Sequence, residues 1–207
     1  MDGELEIRFC DEVFLREHAK EFAVLCREAF CSLLRENIRV ADGFITTDEM
    51  CARVRGKELL GAYLGTKLCG FLIFTELTKV KIKGGHIDLV AVSPACQGRG
   101  IGKSLLETAE NYLRERGIGN VTVCTPEVAA KNVRWYCRLG YEPLWLGRGS
   151  GNYRSIGFYK ALFPDLKMRK WRVKKSFWVS SFVCRLRLRR DGSERLPGKI
   201  LKILLRK

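Results

Sequence analysis

No apolar run in these 207 residues approaches the roughly 20 that a membrane-crossing helix requires. The opening MDGELEIRF is acidic and alternating, without the basic start and apolar stretch of a signal peptide. Cysteine is plentiful at nine residues, yet no Cys-x-x-Cys occurs and the number is odd. The closest two, Cys26 and Cys31, suit neither a zinc site nor a disulfide framework. These absences point to a cytoplasmic chain with reduced thiols and no metal. What is present, 46% hydrophobic and 29% charged residues, is the composition of a globular protein with one sizeable core.

Acidic residues are scarce at one end only. Residues 164–207 hold 15 of the 38 basic residues and 3 of the 23 acidic ones, a net of +12 within the chain total of +15. Residues 1–163 are nearly balanced, with 23 basic against 20 acidic. The positive charge therefore belongs to a C-terminal extension, 164–207, and not to the domain at 1–163. In that extension KMRKWRVKKSFWVSSFVCRLRLRR interleaves Lys and Arg with Trp171, Phe177, Trp178 and Phe182, and KILKILLRK reads as a short basic amphipathic helix. The pattern favours peripheral contact with an anionic membrane surface. Nucleic acid is disfavoured, because RLRLRR reads as a β-edge and not as a groove-reading helix.

The stretch SPACQGRGIGKSLLETAE (93–110) lacks the letters of two familiar phosphate-binding loops. A P-loop would need glycine where Gln97 stands, and no later strand ends in an aspartate for Mg²⁺. A dinucleotide fingerprint counted from Gly98 would need glycine where Lys103 stands. A glycine turn opening a helix nonetheless presents unpaired amides and a positive dipole end to an anion. A plain turn before an ordinary helix is the alternative.

Around that loop the periodicities give an α+β pattern of mixed strand order. Glu4 to Cys10 alternates as a strand. Phe14, Ala19, Phe22, Leu25, Ala29 and Leu33 recur at helical spacing across 11–37, as one helix or two. Thr47-Asp48-Glu49 reads as the capped start of a short helix ending near Gly56. Strand-like runs follow at 58–65, 67–77 and 85–94, with Gly65-Thr66-Lys67 short enough for a hairpin. After the loop, Ile101, Leu105, Ala109 and Leu113 form one stripe of a helix that Gly117 ends. A strand at 120–124 precedes Thr125-Pro126-Glu127, which predicts a helix capped by Thr125 and running to Leu139. Strands near 141–148 and 153–162 complete the domain.

A strand, then Gln97-Gly98-Arg99-Gly100-Ile101-Gly102, then a helix resembles the Q/R-x-x-G-x-G/A signature of the GNAT superfamily of N-acetyltransferases. WYCRLGY at 135–141 resembles that family's second motif, and GFYKAL at 157–162 its closing strand. Together these cover residues of about 3–163, and the two motifs in order are far more specific than either alone. The resemblance implies a mixed, mostly antiparallel sheet of about seven strands flanked by helices, with strands four and five splayed apart.

It also implies acetyl-CoA as cosubstrate and an amine-bearing acceptor, a small molecule or a peptide, as the other. Gln97, Gly98, Arg99, Gly100, Gly102 and Lys103 would then hold the diphosphate. Pantetheine would pair with the main chain near Val90 and Val92. Tyr136 would protonate the departing thiolate, since a phenol is a neutral donor at pH 7. Asn132, one helical turn before Tyr136 on the same face, would contact the CoA, although the position seven before Tyr136, often Asn in the family, is Ala129. Asp88 or His86, alternating onto one face of the strand before the loop, would take the proton from the amine. Glu76 and Glu127 are remoter carboxylates. The alternative from another class is a non-catalytic GNAT-shaped module that binds CoA and acts through the basic extension.

Overall fold

The computed structural model describes residues 4–77, 84–148 and 152–163. The 164–207 extension, with the membrane and nucleic-acid expectations attached to it, lies outside the described residues.

Strands β1 (Leu5–Phe9), β2 (Glu58–Leu64), β3 (Lys67–Leu77), β4 (Gly84–Val92), β5 (Asn120–Pro126), β6 (Glu142–Arg148) and β7 (Arg154–Ala161) form one seven-stranded sheet in the order β1-β2-β3-β4-β5-β7-β6. Every neighbouring pair is antiparallel except β4 with β5. Helices α1 (Glu12–Arg35) and α2 (Thr47–Val54) pack on one face. On that side Leu15, Phe22 and Met50 bury against Leu59, Phe71, Ile73, Leu89 and Ala91. Phe22 meets Phe71 edge-on with ring centres 5.3 Å apart. Each such large apolar side chain contributes about 1.5–3 kcal/mol by leaving water. Helices α3 (Ile101–Glu115) and α4 (Ala130–Arg138) cover the other face, where Leu105, Leu113, Val133 and Tyr136 join Leu72, Phe74, Ile87, Val121 and Phe158.

The local signals explain most of these boundaries. The long periodic stretch is a single helix of 24 residues, opened by Asp11, whose carboxylate accepts the Phe14 amide at 2.7 Å. In α2 the cap is Thr46 and not Thr47, because only Thr46 has an acid three residues on. Its hydroxyl takes the Glu49 amide while Glu49 reaches back to the Thr46 amide at 2.8 Å.

A larger expectation fails. Thr125 and Pro126 do not start a helix. They extend β5, in register with Ile156 and Ser155, and the Glu127 amide still reaches the Arg154 carbonyl at 2.8 Å. Helix α4 begins at Ala130 with no side-chain cap. Proline is tolerated in this strand because its nitrogen faces the side that β4 has already left, so no ladder bond is lost.

One buried carboxylate ties the α3 layer together. Glu110 of α3 is 2% exposed; it accepts from Lys160 Nζ of β7 at 2.7 and 2.9 Å and from the Tyr141 hydroxyl at 2.8 Å. Arg114 lies 3.5 Å away, so the charge is compensated from three directions.

Candidate active site

Two irregularities open the centre of the sheet. Opposite Ile73 and Phe74 of β3 stand Leu89 and Ile87 of β4, so Asp88 is an extra residue without a rung. Leu89 and Ala91 pack on the α1 side and Ile87 on the α3 side. The bulge therefore aims Asp88 at α2. Beyond it the sheet splits: β4 and β5 are paired only at Gly85–Val121, His86–Thr122 and Ile87–Val123. The last five residues of β4 and the last three of β5 have no partner across that opening.

Alternation then fixes which main-chain groups face the gap. The Ser93 amide bonds to Cys69 on the β3 side, so Val90 and Val92, of opposite parity, turn their N–H and C=O groups toward the opening. The Val92 carbonyl already accepts from Gln97 Nε2 at 3.0 Å, which confirms its direction. The valine side chains pack against the α3 core.

At the end of the gap stands the glycine loop. Gly98 and Gly100 have φ of 79° and 82°, a conformation side chains rarely adopt, and Gly100 caps α3 without any side-chain hydrogen bond. The amides of the first turn therefore remain available to an anion. A Cβ on Gly102 would come within 3.2 Å of the Trp135 ring, so the bare backbone lets α4 pack directly against the start of α3. Gln97, Gly98, Arg99, Gly100 and Lys103 are exposed. Among the described residues Lys103 has one loose partner, Glu107 at 3.7 Å, worth a few tenths of a kcal/mol at about this exposure.

On the α1/α2 side of the opening lie the two candidate bases, and their surroundings differ. Asp88 Oδ2 accepts from Arg53 Nε at 2.8 Å and from Lys57 Nζ at 2.9 Å. Arg53 also holds Asp42 at 2.5 Å. Burial works to raise the Asp88 pKa, but the Lys57 hydrogen bond and the Arg53 charge outweigh it and hold the carboxyl below its usual range. Asp42, more deeply buried, is pushed up. His86 Nδ1 lies 3.0 Å from Thr122 Oγ1 of β5, and the Thr122 hydroxyl donates to the Gly85 carbonyl at 3.2 Å. Burial lowers the His86 pKa; Asp88 partly opposes this, and Lys57 and Arg53 add to it, so the ring is neutral at pH 7.

From the other side α4 supplies Tyr136 and Asn132. The Tyr136 ring is buried against Trp135, Tyr141 and Phe158, with centres 4.8, 5.5 and 5.6 Å away. Its hydroxyl makes no hydrogen bond among the described residues, yet no buried polar side-chain atom there lacks a partner, so the oxygen reaches solvent. Burial, with a contribution from Cys124, keeps the phenol protonated. Asn132 Nδ2 donates to Thr125 Oγ1 at 3.3 Å, which ties α4 to the free end of β5. Cys124 is the first β5 residue past the last rung shared with β4. Its thiol touches solvent, while the surrounding protein and the Asp88 charge push it up to about 11, far from a nucleophilic thiolate.

The structure thus brings His86, Asp88, Val90, Val92, Asn132, Tyr136 and the 97–103 loop around one opening. The remoter acids are engaged elsewhere, Glu76 with Arg116 at 3.4 Å and Glu127 with Arg154 at 2.6 Å. Sequence reasoning missed Arg53, Lys57, Asp42 and Thr122. The first three carry no motif, and Thr122 had only the inward–outward alternation of its strand as a signal.

Comparison with known proteins agrees with this geometry. Residues 26–141, more than half of the chain, match the acetyltransferase (GNAT) family. The mycothiol acetyltransferase of Nocardia farcinica is 39% identical over 59 residues, which is 28% of this chain and 20% of that protein. The matched region thus spans about a fifth of such relatives. Among solved structures, the PaiA N-acetyltransferase of Thermoplasma acidophilum in complex with coenzyme A superposes with a TM-score of 0.62 at 17% identity, covering 76% of this chain and 99% of the other. A Salmonella typhimurium protein solved with its cofactor acetyl-CoA gives 0.60 at 18% identity, covering 78% and 96%. The motif pair, the split sheet and the family match converge: this chain belongs to the GNAT family of acetyltransferases.

Proposed function

We propose that the protein transfers the acetyl group of acetyl-CoA directly to a primary amine, without an acyl-enzyme. The observation that carries this reading is the β4–β5 opening, with unpaired main chain along its edge and an uncapped helix N-terminus at its end. The residues fit the cosubstrate. The first-turn amides of α3, with Arg99 and Lys103 at the rim, match a diphosphate, and the main chain of Val90 and Val92 matches the amides of an extended pantetheine arm. The Gln97 bond to Val92 leaves the second lone pair of that carbonyl for a ligand.

When bound, acetyl-CoA supplies an activated acetyl group and leaves as a thiol. The chain's own residues manage the protons. An ammonium cannot attack, so the acceptor must first lose a proton, and His86 is the better of the two bases. It is neutral at pH 7, whereas Arg53 and Lys57, both bonded to Asp88 Oδ2, hold that carboxylate below its usual range and make it a weaker base. Tyr136 donates its proton to the departing sulfur and recovers one from solvent. The second proton shed by the new amide nitrogen, and the one taken by His86, leave to water, so that one net proton is released per amide formed. Asp88 orders Arg53 and Lys57 against the bulge.

Calorimetric titration of acetyl-CoA and of ATP into the full chain, followed by an amine screen that measures CoA release, tests the reading. Micromolar binding of acetyl-CoA without ATP binding, together with turnover on an amine, is expected. No heat with acetyl-CoA would overturn it. Retained CoA binding with no turnover on any amine would favour the non-catalytic module.

A further inference from the structure

We infer that Thr122 is a positioning residue that holds His86 in a single tautomer, with the proton on Nδ1 and the lone pair on Nε2. This inference rests on the reading of His86 as the base.

The argument is a count of protons. A threonine hydroxyl carries one hydrogen, and the Gly85 carbonyl, 3.2 Å from Thr122 Oγ1, can only accept it. With that proton committed, the 3.0 Å contact between Thr122 Oγ1 and His86 Nδ1 is a hydrogen bond only if Nδ1 donates. The ring is neutral and carries one N–H, so Nε2 is left unprotonated. The Gly85 carbonyl belongs to the residue before His86, and Thr122 is the partner of His86 across the β4–β5 ladder. The device is thus anchored on the last rungs before the sheet splits, where the backbone is still held on both sides.

The orienting group is a neutral hydroxyl and not a carboxylate. The charged groups around the ring are Asp88 on its own strand and Arg53 and Lys57 from the α2 side. Asp88 Oδ2 is taken by both cations. A carboxylate on Nδ1 would fix the same tautomer but raise the proton affinity of the ring; a hydroxyl fixes it without that rise.

The chain has two histidines, which makes the test direct. His18 Nδ1 lies 3.0 Å from the Phe14 carbonyl, an obligate acceptor, and provides an Nδ1–H reference in the same spectrum. Long-range ¹⁵N–¹H correlation spectra of the histidine-labelled full chain, assigned with His18→Gln, should show His86 with Nδ1 protonated and Nε2 bare at pH 7.5. Thr122→Val should populate the Nε2–H form and lower kcat/KM by about 10–100-fold, as loss of an orienting partner typically does. Thr122→Ser should restore both tautomer and rate. A wild-type His86 protonated on Nε2, or a Thr122→Val protein with unchanged tautomer, would overturn the inference. Full activity in His86→Gln would instead remove the base assignment, and the tautomer measurement would still stand or fall by itself.

Discussion

Replacing Tyr136 by Phe should separate catalysis from stability. The hydroxyl has no hydrogen-bond partner among the described residues, so its removal leaves no orphaned group behind. All three ring contacts, to Trp135, Tyr141 and Phe158, survive in phenylalanine. Folding stability should therefore change by no more than about 0.5 kcal/mol. A single proton donor contributes about 10²–10⁴-fold, or roughly 3–5 kcal/mol of barrier, and kcat should fall by that amount. The apolar surroundings that keep the proton on the phenol also destabilise a bare thiolate beside it, so donor and leaving group are matched. Thermal melts, CoA titration calorimetry and chromatographic measurement of CoA release on one preparation give all three quantities. A kcat within about threefold of wild type would refute the acid role. A melting point lowered by more than about 5 °C would show that the hydroxyl is structural.

Glu110→Ala should cost about 3 kcal/mol, the lower end for breaking a buried ion pair, since Lys160 is partly exposed and can recover water. The melting point should fall by roughly 6–12 °C, and Glu110→Leu with Lys160→Met should recover most of it. With His86 as base, the acid limb of kcat/KM should lie below pH 6.5, because burial depresses its pKa from that value. The same depression makes the folded state lose stability as pH falls below about 6.5, where the unfolded chain binds the proton more readily. Asp88→Asn removes a charge that raises the His86 pKa, so the acid limb should move to still lower pH; an upward move in the pH–rate profile would contradict the electrostatics.

Much of the fold could be read from local pattern because its strands are short, alternating and punctuated by glycine. The run at 67–77 is β3 to the residue, and Gly117 and Gly140, with φ of 72° and 83°, close α3 and α4 where the spacing places them. The failed boundary at Thr125 is instructive. Thr-Pro-Glu is a sound helix start in isolation, and what defeats it is non-local. Strand β7 supplies partners to 120–126, and the departure of β4 leaves a side on which proline costs nothing. The glycine loop was legible for the opposite reason, since positive φ and an uncapped helix start are local requirements that only a few residues meet.

The choice between Asp88 and His86 shows what a strand's own letters cannot supply. Alternation places both on one face, and a carboxylate and an imidazole there look equally fit to take a proton. Their proton affinities are set by surroundings that the strand's own letters do not show, burial opposed by Lys57 and Arg53 for Asp88, and burial with Lys57 and Arg53 for His86, whose ring Thr122 only contacts. The bulge that aims Asp88 toward α2 sets its Oδ2 against two cations, whose charges lower its proton affinity and make it a strong anchor and a weak base. The hydroxyl beside His86 takes no charge and leaves one nitrogen unprotonated. A carboxylate that orders its neighbours and an imidazole that stays neutral thus stand two residues apart, Asp88 on the bulge and His86 on the regular rungs before it, and the rate profiles of Asp88→Asn and His86→Gln should differ accordingly. Asparagine at 88 should shift the acid limb and keep turnover, whereas glutamine at 86 should abolish the limb together with most of the rate.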